Sequence, residues 1–147
     1  QLPRSADALY CDRETLYLVE FKNGSLKETL GKRLNPKDDE ELGINLGQRD
    51  ALIEKCKDSV LICSDLWGKR TRWFREHCVF VLVYNEDKNK TALKRVASSI
   101  RKKARFGLPD KLKGFCVKDV LTLTEKEFST SLLSTWRDAE EIAEVDA

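Results

Sequence analysis

Asp7, Glu20 and Lys22 have the residue types and spacing best suited to chemistry in this chain. They bracket the segment "DALYCDRETLYLVEFK", two runs of strand-forming residues split by "RET", which reads as a β-hairpin. Side chains alternate along a strand, so Glu20 and Lys22 share a face with Leu16 and Leu18. With a hairpin loop of two residues (Arg13, Glu14) or four (Asp12 to Thr15), Leu16 faces Cys11, Leu18 faces Leu9 and Glu20 faces Asp7. An odd loop length breaks that pairing. Like charges placed opposite one another destabilise a sheet, unless a cation sits between them. Two hard oxygen ligands and several waters suit Mg²⁺. Such an ion, held by Asp7 and Glu20 with the Phe21 carbonyl as a third ligand, polarises a phosphoryl oxygen or lowers the pKa of a bound water. Lys22, on the same face, is placed to orient that water or to stabilise charge developing on the phosphate.

These residues resemble a known pattern. Asp7 followed by Glu20-Phe21-Lys22 at the end of an apolar strand, within "SADALYCDRETLYLVEFKNG", is similar to the PD-(D/E)xK (restriction endonuclease-like) nuclease superfamily. The resemblance implies an αβββαβ core and Mg²⁺- or Mn²⁺-dependent hydrolysis of phosphodiester bonds. Asp7 and Glu20 would be the metal ligands and Lys22 the catalytic lysine. Gln48 matches in type a glutamine that some subfamilies place near the site. The family often has a proline before the aspartate, where this chain has Ala6. A helix and a strand ordinarily precede the aspartate, and six residues cannot hold them. The expected core therefore lacks its N-terminal helix and first strand, or receives them from elsewhere. The specific motif covers residues 5–24.

The rest of the chain must supply elements that position the hairpin. Residues 23–47 contain four glycines and a proline and read mostly as loop, with one helical turn around 26–32. Leu52, Cys56, Val60 and Cys63 fall at helical spacing, so residues 48–63 read as a helix, although "SVLIC" also suits a strand. "CVFVLVYN" (78–85) is apolar throughout, as in a strand buried on both faces. Residues 91–107 place Leu93, Val96, Ala97, Ile100 and Ala104 on one stripe, an amphipathic helix that Gly107 stops. "GFCVKDVLTL" (114–123) reads as a further strand. Thr124 and Glu127 resemble a capping box opening a helix over 125–144. The fold class expected is mixed α/β (α+β): a central mixed β-sheet flanked by helices. Residues 1–147 read as a single domain with an acidic C-terminal helix and tail from about 125 to 147.

Glu-x-Lys alone is a weak signal in a chain with 35% charged residues. Glu86-Asp87-Lys88 is a second copy, read as a solvated turn. Asp12 rivals Asp7, but alternation puts it on the other face. Lys88, Lys90, Lys94, Arg95, Arg101, Lys102, Lys103 and Arg105 form a run without acids. Lys94, Ser98, Arg101, Lys102 and Arg105 share the side opposite the apolar stripe. Charge runs are usually solvated faces, yet most helical surfaces mix signs to gain i,i+4 pairs, and a single-sign stripe suits phosphate contacts. "WGKRTRWFR" (67–75) reads as a loop that interleaves aromatics with Lys69, Arg70, Arg72 and Arg75. It suits either stacking on bases or pinning the loop to the core. His77 reads as structural. No P-loop glycine pattern occurs.

The net charge is +2 and no apolar run is long enough to cross a bilayer. No signal-peptide pattern opens the chain. It contains no methionine, so residues ahead of Gln1 are expected to be missing. The five cysteines lack CxxC spacing and read as reduced core residues of a cytoplasmic protein. Zinc ligand spacing is absent. The sequence thus points to a Mg²⁺-dependent nuclease cutting DNA, with RNA as the other substrate, acting away from membranes. Double-strand cleavage would call for a homodimer or a larger protein. The alternative is a catalytically inactive nuclease-fold domain that binds nucleic acid or a protein partner.

Overall fold

The computed structural model describes residues 3–27, 42–90 and 106–146. Its centre is a four-stranded mixed sheet in the order β1-β2-β3-β4. Strands β1 (Ala8–Asp12) and β2 (Thr15–Lys22) form the expected hairpin, with Leu9 opposite Leu18 and Cys11 opposite Leu16. The loop is the two residues Arg13 and Glu14, and Arg13 adopts a left-handed backbone with φ 55°. β3 (Cys78–Tyr84) runs parallel to β2, and β4 (Asp119–Thr124) parallel to β3. Parallel neighbours need long crossovers, and the first contains helix α1 (Leu46–Trp67).

α1 is helical throughout, including "SVLIC". Asn45 caps its N-terminus by accepting the Gln48 N–H at 3.2 Å, and Gly68, at φ 61°, ends it in the left-handed conformation that glycine adopts without a Cβ penalty. Leu52, Ile53, Cys56, Val60 and Cys63 bury against one sheet face. Every residue of β3 is buried, because the sheet is covered on both sides. Phe80, Leu82 and Tyr84 join the α1 side, and Val79, Val81 and Val83 join Phe128 and Trp136 on the other.

Three expectations are corrected. The 67–75 segment is not a loop: α2 (Thr71–His77) begins three residues after Gly68, and Phe74 is fully buried with Trp73 packed edge-on at 5.1 Å. Sinking these aromatics requires a helical turn that points both inward. The strand over 114–123 starts only at Asp119. After α3 (Leu108–Leu112), the backbone N–H groups of Phe115, Cys116 and Val117 all return to the Leu112 carbonyl, with Gly114 at φ 77°. This tight turn buries Cys116 and Val117 without a ladder. Finally, Cys11 is exposed on the edge strand, whereas Cys56, Cys63, Cys78 and Cys116 are buried; all five are free thiols.

The C-terminal helical run opens with the capping box: the Thr124 hydroxyl accepts the Glu127 N–H and the Glu127 carboxylate accepts the Thr124 N–H, both at 3.1 Å. It comprises α4 (Glu125–Phe128), a π-helical turn (Ser129–Leu133) and α5 (Ser134–Asp146). Trp136 stacks on Tyr10 at 4.3 Å and Phe128 meets Phe21 edge-on at 5.7 Å, which fastens this run to the hairpin. The expected basic helix over 91–107 and the turn around 26–32 lie mostly outside the described residues, so Lys94, Arg101, Lys102 and Arg105 have no position here. Among the described residues no helix is long and apolar enough to cross a membrane.

Candidate active site at the end of the hairpin

β2 carries Leu16, Leu18 and Glu20 toward α1, and all three are buried. The alternation that buries the two leucines therefore also buries a carboxylate: Glu20 is 1% exposed. A buried carboxylate needs compensation. Two lysines supply it through one oxygen. Lys55 Nζ donates to Glu20 Oε1 at 2.5 Å, and Lys22 Nζ lies 3.6 Å from the same atom. Glu20 Oε2 is buried and has no hydrogen-bond partner among the described residues.

Asp7 comes one residue before β1. Its Oδ2 accepts the backbone N–H of Phe21 at 2.8 Å, a donor that strand pairing would otherwise have to satisfy. That bond sets the Asp7 carboxylate beside the backbone immediately after Glu20, as the hairpin register requires. Asp7 itself is exposed. The chain ahead of it turns onto α1: the Ala6 N–H donates to Ser59 Oγ at 2.8 Å and the Arg4 N–H to Asp58 Oδ2 at 3.0 Å. On the far side, Gln48 Nε2 donates to the Ser25 carbonyl at 3.1 Å and anchors the chain leaving β2. Gln48, Lys55 and Ser59 thus lie along one side of α1 and hold the segments that flank the carboxylates. Gln48 serves the loop rather than Glu20 directly.

The sequence reading missed Lys55. The signal was present, since Lys55 stands three residues after buried Leu52 and next to buried Cys56, on the flank of the stripe that meets the sheet. Nothing in the sequence said that the stripe ends over Glu20.

The remaining expected residues are dispersed. Phe21 turns its side chain to the opposite face, half exposed, leaving only its backbone near the site. Asp12 closes β1 opposite Thr15, at the other end of the hairpin. Lys69, Arg70 and Arg72 stand beyond the C-terminus of α1, and the helix from Lys55 to Trp67 covers about 18 Å. Arg72 pairs with Glu76 at 3.0 Å and Lys69 sits over the Trp73 ring at 5.5 Å. They form a separate cluster rather than a wall of the site. Glu86-Asp87-Lys88 lies in an exposed 3₁₀ turn. His77 stacks on Trp73 at 4.8 Å.

Among the described residues no group of three or more His, Cys, Asp and Glu side chains is placed to hold a metal ion. A metal at the hairpin would have two carboxylates, Asp7 and Glu20, with backbone and water for the rest. That donor set fits Mg²⁺, which retains several waters. The orphaned Glu20 Oε2 is the atom a cation would satisfy. A cavity of about 510 Å³ opens elsewhere, on the opposite sheet face between Tyr10, Phe21, Phe128 and Trp136. Its apolar lining has no part in this chemistry. No protein-family model, curated protein or solved structure matches the chain.

Proposed function

We propose that the chain is a nuclease domain that hydrolyses phosphodiester bonds in DNA, with Asp7, Glu20 and Lys22 as its catalytic residues and Mg²⁺ or Mn²⁺ as cofactor. One observation carries this reading: a carboxylate 1% exposed, one oxygen orphaned, sits at the end of a strand with a lysine two residues on. Purely structural sites rarely bury an acid with an unmet acceptor. The hairpin followed by a helical crossover to a parallel strand is compatible with the restriction endonuclease-like core that the motif implies.

When bound, the metal would polarise the scissile phosphate and activate water. The residues of the chain do the rest. Asp7 and Glu20 provide hard oxygen donors from adjacent extended segments. Lys22, with its side chain 35% exposed, reaches from the protein toward solvent, where a phosphate would lie. Its ammonium offsets charge developing on the phosphoryl oxygens. Ser59 and Gln48 fix the backbone on either side.

The test is incubation of the protein with plasmid, single-stranded DNA and RNA in Mg²⁺ or Mn²⁺, then with chelator. Metal-dependent cleavage should disappear in Glu20→Gln and Lys22→Ala. Cleavage that persists in both variants places the chemistry elsewhere. A second reading, an inactive nuclease-fold domain that binds nucleic acid or a protein partner, draws on the Lys55 contact, which already neutralises Glu20. Salt-sensitive DNA binding without cleavage in either metal would favour it.

A further inference from the structure

The hairpin site holds one more cation than phosphate chemistry by Lys22 calls for. Lys55 approaches Glu20 Oε1 more closely than Lys22 does, 2.5 Å against 3.6 Å. It comes from a different element, α1, which is packed against the sheet independently of the hairpin turn. Its side chain is 22% exposed, so the ammonium stands at the boundary between the buried carboxylate and water. Glu20, by contrast, cannot leave: the strand that holds it is buried up to position 20 through Leu18 and Val19, and Glu20 is paired with Leu82 of the buried β3.

We infer that Lys55 is the resident counter-ion of Glu20 in the metal-free protein, and that a divalent cation must displace it. This rests on the nuclease reading above. A buried carboxylate without a counter-ion is strongly disfavoured, so some cation must accompany Glu20 whenever the protein is folded. Before metal arrives, Lys55 fills that role. A divalent ion at the same carboxylate repels a neighbouring ammonium, and the repulsion is large where water is scarce. Lys55 is the partner that can yield, because it is partly solvated and its four-carbon stem is flexible. Its withdrawal into solvent removes the nearest cation from Glu20 Oε1, with Lys22 remaining at 3.6 Å. Lys55 is thus a positioning residue: its contact holds the Glu20 carboxylate in place until metal binds, at the cost of weaker metal affinity.

Mn²⁺ binding, followed by calorimetry and by the loss of the free-ion EPR signal, separates the outcomes without reference to cleavage. Lys55→Met removes the competing charge but keeps a long stem, and should bind Mn²⁺ at least tenfold more tightly than the unaltered protein. Lys55→Arg keeps the charge and should show no such gain. Unaltered protein that binds Mn²⁺ while Lys55→Met binds it equally or more weakly overturns the counter-ion role and leaves the nuclease reading intact. Absence of Mn²⁺ binding in the unaltered protein and in Lys55→Met overturns both. Should Lys55→Met not fold, lysine acetylation of the unaltered protein gives the same answer. Lys55 should be labelled several-fold faster once Mg²⁺ is added, and already fast in Glu20→Gln without it. Labelling indifferent to Mg²⁺ overturns the inference.

Discussion

At the scale of single residues, Glu20 carries the greatest weight. A carboxylate this buried would be a liability in an ordinary strand, where the neighbouring inward positions are leucine. Substitution by glutamine keeps the shape and removes the charge that would hold a metal. If the ion supplies about 4 kcal/mol of transition-state stabilisation, Glu20→Gln lowers cleavage roughly 10³-fold. Lys22→Ala should lower kcat by about 10²–10³-fold with a smaller change in metal affinity, since Lys22 stands farther from Glu20 than Lys55 does and its proposed role is toward developing charge. Cleavage rates together with Mn²⁺ titrations of the two variants check this split. A Lys22→Ala protein that loses metal binding as completely as Glu20→Gln would mean that Lys22 merely buttresses the carboxylate.

At the scale of elements, α1 is the scaffold of the site. One side of it grips the chain before Asp7 through Ser59, meets Glu20 through Lys55 and secures the chain after Lys22 through Gln48. Ser59 is buried, accepts the Ala6 N–H and donates to the Lys55 carbonyl at 2.7 Å. Ser59→Ala leaves the Ala6 donor without its partner and should cost about 1–3 kcal/mol in stability. Because Ala6 adjoins Asp7, the same substitution should also reduce metal-dependent cleavage. Denaturant midpoints and cleavage rates measured together decide whether that coupling exists. Thr124 offers the contrast. Its capping box opens a helix on the other sheet face, at the end of β4 and two strands across from Lys22. Thr124→Ala should cost about 1 kcal/mol, a fall of about 3 °C in Tm for a chain of this size. Cleavage below the melting transition should be unchanged.

At the scale of the whole molecule, the sheet divides two apolar layers with different duties. The α1 layer surrounds the carboxylate end of the hairpin, and the layer beneath the C-terminal helices holds aromatic packing and the apolar cavity. Most of the cysteines belong to the first layer. The hydrogen bond to Cys116 and burial raise the Cys56 thiol, while burial raises those of Cys63 and Cys78. Thiolate is the reactive form, so these three should resist alkylation in the native protein at pH 8 and react only in denaturant. Cys11, exposed on the edge strand, should be modified first. Mass mapping of the labelled sites over time checks the order, and early labelling of Cys56 or Cys78 would show that the α1 layer opens readily.

Local pattern by itself pointed to the hairpin, and either even loop, of two residues or four, gives the register that brings Asp7 level with Glu20; the structure decided for two. Alternation is a property of neighbouring residues, and it was visible in "DALYCDRETLYLVEFK". The same holds for the buried β3, whose uninterrupted apolar run admits little else, and for the capping box at Thr124. Contacts across the fold decided the rest. Whether the face with Glu20 would be solvated or sealed depended on which side α1 covers. Lys55 reached the carboxylate only because a helix some thirty residues along the chain packs there. Likewise, Trp73 and Phe74 curl "TRWFREH" into a helix because the core has room for them, while Leu112 draws "GFCV" into a turn instead of a strand. Short-range periodicity says where a side chain points; only packing says what it meets there.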